Sequence, residues 1–247
     1  MTLALDLAHR RYQQQAGWTA QLRRHIFARA GLPNARRMLE IGCGTGAVLS
    51  AIGQPQTRTY GLDIDRAALR MAQQGTPGSL LAAGDAHHLP YEDGCFDIAF
   101  FHFVLLWLAE PVLALTEACR VTRRGGAVIA FAEPDYSQRI DKPDTLSPLG
   151  QLQTEALRAQ GAHPDIGGHL PQLFQAADLA VVESGQLQAS GQTDQADALE
   201  LEVLQADLSG RIPDDELQHY LAEEACARRE NKRILHVPTF FAIGRVS

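Results

Sequence analysis

The stretch LEIGCGTGA, residues 39–47, ends an apolar run with three glycines at alternate positions. Glycine lets another group approach the backbone closely and tolerates positive φ angles. A loop without bulky side chains, placed directly after a strand-like segment, predicts a ligand bound against the backbone. The rest of the sequence has to indicate which ligand.

The bulk composition is that of a single globular domain spanning residues 1–247, with 45% hydrophobic and 21% charged residues. A formal net charge of −7 and the lack of a basic–aromatic cluster argue against a nucleic-acid partner. The N-terminus lacks a signal-peptide pattern, and no apolar run reaches the roughly 18 residues of a membrane span. Four dispersed cysteines without a C-x-x-C pair favour reduced thiols. We therefore expect a cytoplasmic protein with no membrane partner and no metal site.

Short apolar runs alternate with helical patterns through the first half of the chain. The strand-like runs are residues 37–41, 58–63, 79–85, 96–101 and 126–133, and the helical patterns are 46–52, 65–74 and 111–120. Asp65 is a plausible helix N-cap, and RRGG at 123–126 is typical of a basic helix end followed by glycine stops. This alternation predicts βαβ units, hence an α/β fold with a mostly parallel sheet between helices.

The outer segments follow a different pattern. Residues 10–30 predict one amphipathic lead-in helix, and two short helices lie between 134 and 180. Strand-like runs at 180–188 and 236–246 are separated by two helical stretches, and we expect them to pair antiparallel as a closing ribbon. The helices within 189–234 either cap an acceptor site or form a homodimer face.

The glycine loop fits two cofactors. As G-x-G-x-x-A it matches a dinucleotide fingerprint, and as G-x-G-x-G, with Gly42, Gly44 and Gly46, it matches the loop that binds S-adenosylmethionine. Asp63 ends the second strand in either case, where a ribose diol needs an acceptor. Glu40 favours the second cofactor, because a carboxylate repels a pyrophosphate and attracts an ammonium group. Asp85, at the end of the third strand, adds an acid at the same sheet edge.

Four ordered motifs, LEIGCGTG, GLDID, GDAHHLPYEDGCFDIAFF and ALTEACRVTRRGGAVIAFAEP, resemble the core of the class I S-adenosylmethionine-dependent methyltransferases. The resemblance covers residues 37–134 and is nearest to the small-molecule group that includes ubiquinone and menaquinone methyltransferases. It implies a Rossmann-like three-layer sandwich with a seven-stranded sheet whose last strand is antiparallel. It also implies an N-terminal helical lid at 1–34, a cofactor-binding core at 35–134, and acceptor-side inserts at 134–180 and 189–234.

The resemblance implies roles for individual residues. Glu40, Gly42 and Gly44 would line the methionine end of the cofactor, with Cys43 and Gly46 in the same loop. Asp63 would hold the ribose, Ile64 would lie beside the adenine, and Asp85 and Ala86 would bind the adenine edge. His102 would lie near the methionine portion, and Tyr12 and Trp18 of the lid would cover the cofactor. Asp97 is interpreted as structural.

Catalytic candidates are few, because methyl transfer from a sulfonium needs mainly alignment, and a base only where the acceptor loses a proton. His102 is one candidate, although hydrogen bonding to the cofactor explains it equally. Tyr136, with Glu133 and Asp135, follows the fifth strand, and His169 lies in the inserted segment. Each has a plain alternative as a turn or surface-loop residue. His87 and His88 are adjacent, which does not suit metal ligation.

We therefore predict an S-adenosylmethionine-dependent methyltransferase that yields S-adenosylhomocysteine and acts on O, C or N of a small organic acceptor. The stretch FFHFVLLW lacks the Pro-Pro-aromatic motif typical of enzymes that methylate bases or glutamine. Two alternatives remain: a non-catalytic protein that keeps the cofactor-binding core, and an NAD-dependent oxidoreductase.

Overall fold

The computed structural model describes residues 4–52, 56–187 and 194–247. Within these ranges the α-helices are α1 (Leu5–Trp18), α2 (Ala20–Ala30), α3 (Arg66–Gly75), α4 (Pro111–Val121), α5 (Ser147–Ala159), α6 (Leu170–Ala176), α7 (Asp194–Leu208) and α8 (Asp214–Arg229). The strands are β1 (Arg37–Ile41), β2 (Arg58–Asp63), β3 (Leu80–Ala83), β4 (Phe96–His102), β5 (Thr122–Pro134), β6 (Ile140–Lys142), β7 (Ala180–Leu187), β8 (Ile234–His236) and β9 (Thr239–Arg245).

The main sheet has seven strands in the order β3-β2-β1-β4-β5-β9-β7. Neighbours from β3 to β5 are parallel, whereas β9 is antiparallel to both β5 and β7. The predicted fold class and the antiparallel closing strand are therefore confirmed. The carboxyl ends of β1 to β5 meet at one edge, which is where open α/β sheets bind their ligands.

Two apolar clusters cover the faces of this sheet. One packs α4 and α6 against the sheet through residues such as Leu115 and Phe174, and the other packs α2 against it through Phe27. A third cluster joins α5, α7 and α8 through Leu149, Leu204 and Leu217, away from the sheet. We call α5, α7, α8 and the two-stranded β6–β8 sheet the cap.

Three details of the predicted elements are wrong. Residues 46–52 form only a single 3-10 turn (Leu49–Ala51), because the left-handed backbone at Gly46 delays any helix. The RRGG segment lies in β5, since α4 ends at Val121 and the carboxylate of Asp97 binds Arg123 Nε at 2.6 Å, beside β4. The lead-in helix is two helices that meet at Thr19.

Other local predictions are confirmed. Asp65 caps α3, its carboxylate accepting from the backbone N–H groups of Ala67 and Ala68. Strands β1 and β2 have the predicted bounds, and β7 covers residues 180–187 of the predicted 180–188, with position 188 outside the described ranges. The cysteines at 43, 95, 119 and 226 are free thiols.

No helix within the described ranges is both long and apolar enough to cross a bilayer.

Candidate cofactor and acceptor site

The glycine loop after β1 has a backbone that only glycine adopts without strain. Gly42, Gly44 and Gly46 have φ angles of 75°, 50° and 78°. A Cβ atom on Gly42 would lie 2.6 Å from the Val104 side chain. The N–H groups of Gly42 and Cys43 donate to the carbonyl of Leu62 at 2.7 and 3.0 Å, so the loop is fastened to β2.

Asp63 connects the end of β2 to this loop. Its Oδ2 accepts from Gly44 N at 2.7 Å, and its Oδ1 accepts from Asp65 N at 2.8 Å. The neighbouring Ile64 is 76% exposed. Cys43 is buried behind the loop, and burial raises the pKa of its thiol, so the sulfur is a neutral packing atom.

Glu40 lies beneath the loop and is 2% exposed. Its Oε2 is buried and has no hydrogen-bond partner among the described residues. Burial raises the pKa of Glu40 well above its ordinary value, while the positive charge of Arg23 opposes that rise. A buried carboxyl oxygen without a partner is costly, so this position is suited to a cationic ligand.

Arg23 was missed by the sequence analysis. It is 3% exposed, and its Nη1 donates to the Ala16 carbonyl and to Thr19 Oγ1, each at 2.9 Å. A signal was present, because Arg23, Phe27 and Ala30 recur at helical spacing and share the buried face of α2. A cation in an apolar stripe indicates a buried charge partner.

Helix α1 lies directly on the glycine loop. A Cβ atom on Gly44 would meet the Tyr12 ring at 3.0 Å, and His9 Nδ1 lies 2.8 Å from Thr45 Oγ1. Trp18 does not share this contact: it packs under the guanidinium of Arg11, 5.2 Å from its ring centroid, on the side of α1 that faces α7. The structure thus brings Tyr12 to the loop and leaves Trp18 beside the cap.

Asp85 and Ala86 lie beyond the end of β3. Asp85 Oδ1 accepts from His87 N at 2.9 Å and is 2.7 Å from His87 Nδ1, and the backbone bond is the largest cause that lowers the Asp85 pKa. Its Oδ2 has a weaker neighbour, His88 Nδ1 at 4.0 Å. Asp85 therefore supports its own turn and also keeps one oxygen directed outward, while Ala86 is buried.

His102 ends β4 and is buried. Its Nε2 lies 3.0 Å from Thr19 Oγ1, and its ring stacks on Phe131 at 5.8 Å between centroids. Burial lowers the pKa of His102 to about 3, with the charge of Arg23 acting in the same direction. The imidazole is therefore neutral and bonded to the junction of α1 and α2.

Glu133 is fully buried at the end of β5. Its carboxylate accepts from the N–H groups of Val104, Leu105 and Leu106 at 2.9, 3.1 and 3.2 Å. Burial raises the pKa of Glu133 to about 7 although these three donors oppose the rise. This carboxylate fixes the turn after β4, so it is a positioning group beneath the site.

The remaining candidates are spread along the insert. Asp135 is buried and caps the turn that begins with Tyr136, accepting from Ser137 N at 3.0 Å. Tyr136 begins the 3-10 turn that follows β5, its N–H donates to the Pro164 carbonyl at 2.8 Å, and the guanidinium of Arg139 is 6.0 Å from its ring centroid. The His169 side chain is 61% exposed, and its nearest acid, Asp165, is 4.0 Å away. The His169 side chain is therefore largely exposed, although the residue before it packs against Asp135, where a Cβ atom on Gly168 would lie 2.8 Å from Asp135 Oδ2.

Comparison with known proteins matches this arrangement to one family. The model of a methyltransferase domain family matches residues 39–130. A demethylmenaquinone methyltransferase from Roseiflexus castenholzii is 30% identical over 176 residues, which are 70% of this chain and 68% of that protein. The chain belongs to the class I S-adenosylmethionine-dependent methyltransferases. This membership decides between the two interpretations of the glycine loop in favour of G-x-G-x-G.

Further similarities cover other shares of this methyltransferase. A malonyl-[acyl-carrier protein] O-methyltransferase from Erwinia pyrifoliae is 31% identical over 51% of this chain and 48% of its own. The chain spans between about a third and about half of the length of the first curated relatives it matches. The YcgJ protein from Bacillus subtilis shares the fold, with a TM-score of 0.57, 16% identity, and 86% and 92% of the two chains covered.

The residues of this methyltransferase fit S-adenosylmethionine, the cofactor of the family. The unpartnered oxygen of Glu40 suits an ammonium group, the backbone at Gly42 has no space for a Cβ atom, and the exposed Ile64 side chain offers an apolar surface to a base. Asp63 keeps lone pairs that a ribose diol can use, because each of its oxygens accepts only one of the hydrogen bonds described above.

Proposed function

We propose that this chain transfers a methyl group from S-adenosylmethionine to a small organic acceptor. The observation that carries the proposal is the buried Glu40 oxygen beneath the glycine loop, which has no hydrogen-bond partner among the described residues. A pyrophosphate would add negative charge beside this carboxyl group, whereas the ammonium of a methionine moiety would neutralise it.

Each cofactor contact is part of the proposal. Glu40, Gly42 and Gly44 receive the methionine end, Asp63 holds the ribose, and the adenine lies between Ile64 and the turn at Asp85 and Ala86. Arg23, buried near Glu40, is suited to the carboxylate of the same amino-acid moiety. Cys43 and Gly46 shape the loop, and Tyr12 covers it from α1.

The chemistry requires alignment more than proton transfer. When bound, the cofactor supplies a sulfonium whose S–CH₃ bond breaks with the electron pair left on sulfur, while an acceptor lone pair forms the new bond to carbon. The chain has to hold the acceptor in line and exclude water. His102 is too weak a base to take an acceptor proton at neutral pH, so we assign it to positioning the α1–α2 junction. Any proton that the acceptor loses passes to solvent or to a group of the cap.

In this proposal, three segments of the chain have different roles. Residues 1–34 act as a lid, residues 35–134 hold the cofactor, and the inserts at 134–180 and 189–234 choose the acceptor. We assign Tyr136 to the acceptor side because it follows β5 at the sheet edge where open α/β sheets bind ligands, and we assign no role to the exposed His169. The described part of 189–234 belongs to the cap, which supports an acceptor-side role.

Calorimetric titration with S-adenosylhomocysteine tests the cofactor half of the proposal. Micromolar binding is expected, and because Glu40 has a raised pKa, binding of the ammonium should release a proton that appears as a buffer-dependent enthalpy. Glu40→Gln should weaken binding and remove that proton release. Binding of NAD instead, or no binding of either molecule, would contradict the proposal. Formation of S-adenosylhomocysteine with any acceptor would exclude the non-catalytic alternative.

A further inference from the structure

Three arginines line an open pocket at the edge of the sheet where β1 and β2 begin. The pocket has a volume of about 420 Å³, and its lining residues are Asn34, Ala35, Arg36, Arg37, Gln56 and Arg58. Strand β1 begins at Arg37 and ends at Ile41, directly before the glycine loop. The pocket and the proposed cofactor site are therefore at opposite edges of the sheet.

The register of the sheet places two of these arginines side by side. Arg37 and Arg58 are directly opposite each other in the parallel β1–β2 pair, and the N–H of Arg58 donates to the Arg36 carbonyl at 2.8 Å. Neighbouring strands lie about 4.8 Å apart, so the two guanidinium groups start from backbone positions close enough for their charges to repel. The fold thus keeps like charges together at a cost in free energy that a bound anion would offset.

Asp97 is hydrogen-bonded to the backbone of this pocket, but it is already neutralised. Its Oδ2 accepts from the backbone N–H groups of Arg36 and Arg37 at 2.8 and 2.9 Å, which fixes the chain at the start of β1. Its Oδ1 forms an ion pair with Arg123 Nε at 2.6 Å. The carboxylate therefore holds the pocket's backbone in place, and its counter-charge comes from outside the lining.

The charge of the lining is positive. Within the described ranges, Arg36, Arg37 and Arg58 form no ion pair, and all three are exposed. The other acids near this edge are Glu92, which lines a second pocket, and two that pair with Arg120 at 2.7 Å, Asp93 and Glu117. Glu92 alone does not balance three guanidinium groups, so the pocket is suited to an anion.

The second pocket adjoins the first, because Arg37 lines both. It has a volume of about 270 Å³ and is lined by aromatic rings, those of Tyr60, Tyr91 and Phe96, together with Glu92. The rings meet edge to face, with centroids 4.9 Å apart for Tyr91 and Phe96 and 6.4 Å apart for Tyr60 and Tyr91. One ligand can therefore place an anionic group against the arginines and an organic ring in this second pocket.

We infer that the arginine-lined pocket is a second ligand site, for a molecule that carries a diphosphate group. Guanidinium groups present paired N–H donors that match phosphate oxygens, and a diphosphate has enough negative charge for three of them. The side-chain amides of Asn34 and Gln56 supply further donors. Inorganic pyrophosphate and a nucleoside diphosphate share this chemistry, and the ring of the second would occupy the adjoining pocket. The inference does not depend on the proposed methyl transfer.

Calorimetric titration of the intact protein tests the ligand class. Pyrophosphate should bind at least about tenfold more tightly than sulfate, because sulfate presents fewer charges and oxygens to the three arginines. The affinity should fall as the ionic strength rises. ADP is titrated in the presence of saturating S-adenosylhomocysteine, so that its adenosine part does not enter the proposed cofactor site. Tighter binding of ADP than of pyrophosphate assigns the adjoining pocket to the ring, whereas equal binding restricts the ligand to the diphosphate.

Matched variants locate the site. Arg58→Gln should weaken pyrophosphate binding by about tenfold or more, because a charge-assisted hydrogen bond is lost. The control is Arg158→Gln, which removes the same charge from an exposed position on α5 and should change the affinity by less than about twofold. Without ligand, Arg58→Gln should be at least as stable as the wild type, because a repulsion is removed. Pyrophosphate should raise the Tm of the wild type more than that of Arg58→Gln.

Several results would overturn the inference. Absence of pyrophosphate binding, or equal binding of sulfate and pyrophosphate, contradicts the diphosphate class. Equal losses of affinity in Arg58→Gln and Arg158→Gln would show that pyrophosphate responds to the overall charge of the protein and not to this pocket. A failure of S-adenosylhomocysteine to bind contradicts the proposed function and leaves the comparison of pyrophosphate with sulfate unaffected.

Discussion

The carboxylate of Asp63 accepts a hydrogen bond from the backbone N–H of Gly44 at 2.7 Å, and this bond joins the end of β2 to the glycine loop after β1. The residue proposed to hold the ribose therefore also holds the loop that is proposed to receive the methionine end. In this proposal, cofactor binding and loop order depend on the same side chain.

Asp63→Ala should weaken S-adenosylhomocysteine binding more than substitution of the neighbouring Asp65 does. The substitution leaves the N–H groups of Gly44 and Asp65 without their acceptor, so we expect a loss of about 1–3 kcal/mol in unfolding free energy and at least a roughly tenfold weaker S-adenosylhomocysteine affinity. Asp65→Ala removes only the N-cap of α3, at about 1 kcal/mol, and should leave affinity nearly unchanged. Equal affinities in the two variants would contradict the assigned role of Asp63.

The coupling of Arg23 and Glu40 should appear in the pH dependence of stability. Burial raises the pKa of Glu40 and the charge of Arg23 opposes that rise, so Arg23→Met should raise the pKa further. Because a raised folded-state pKa makes stability fall as pH rises, the fall between pH 5 and pH 8 should be steeper in Arg23→Met than in wild type, as measured by urea unfolding. Equal slopes would show that the two charges do not interact.

The pKa of Glu133 predicts a pH dependence of stability. Because burial raises this pKa from 4.5 to about 7, the folded state keeps a proton that the unfolded state releases between these two values. Stability should therefore fall as pH rises through that window, by roughly 3 kcal/mol in total. The check is the unfolding free energy of wild type and of Glu133→Gln at pH 5 and at pH 8. Relative to the variant, the wild type should be less stable at pH 8 than at pH 5. A wild type that is relatively more stable at pH 8 would show that the three backbone donors outweigh burial.

His102 should remain neutral throughout the physiological range. With a pKa of about 3, its ring should show constant ¹⁵N shifts from pH 8 to pH 5. In urea-unfolded protein the same ring should titrate near 6.5. A ring that titrates near 6.5 in the folded protein would restore His102 as a candidate base.

Two ion pairs between α1 and α7 allow a matched comparison. Arg11 and Glu200 have side chains that are 15% and 14% exposed, whereas those of Arg10 and Glu202 are 50% and 48% exposed. Glu200→Gln should cost about 1–3 kcal/mol and increase hydrogen exchange in α1, while Glu202→Gln should leave the free energy of unfolding nearly unchanged. Equal effects would contradict the view that the Arg11–Glu200 pair fastens the lid to the cap.

The sequence predicts the sheet and the glycine loop after β1 better than it predicts the contacts of the later segments. The period of the apolar runs defines β1, β2 and the loop between them, because buried parallel strands and glycine turns leave local signals. Glu133 is an example of a contact that the sequence does not predict. Its partners are backbone N–H groups some thirty residues earlier, and no local sequence pattern indicates them. The pair of Arg11 and Glu200 likewise depends on how α7 packs against α1, because the two residues are 189 positions apart.

The cap has an apolar cluster of its own, separate from the two clusters that cover the sheet. A part of a protein that carries its own core can open and close as one cooperative unit, at a free energy below that of global unfolding. Substitutions at Leu204 or Leu217 should therefore change how readily the cap opens without loosening the strands that hold the cofactor. Acceptor exchange and cofactor retention would then be adjustable independently within one chain.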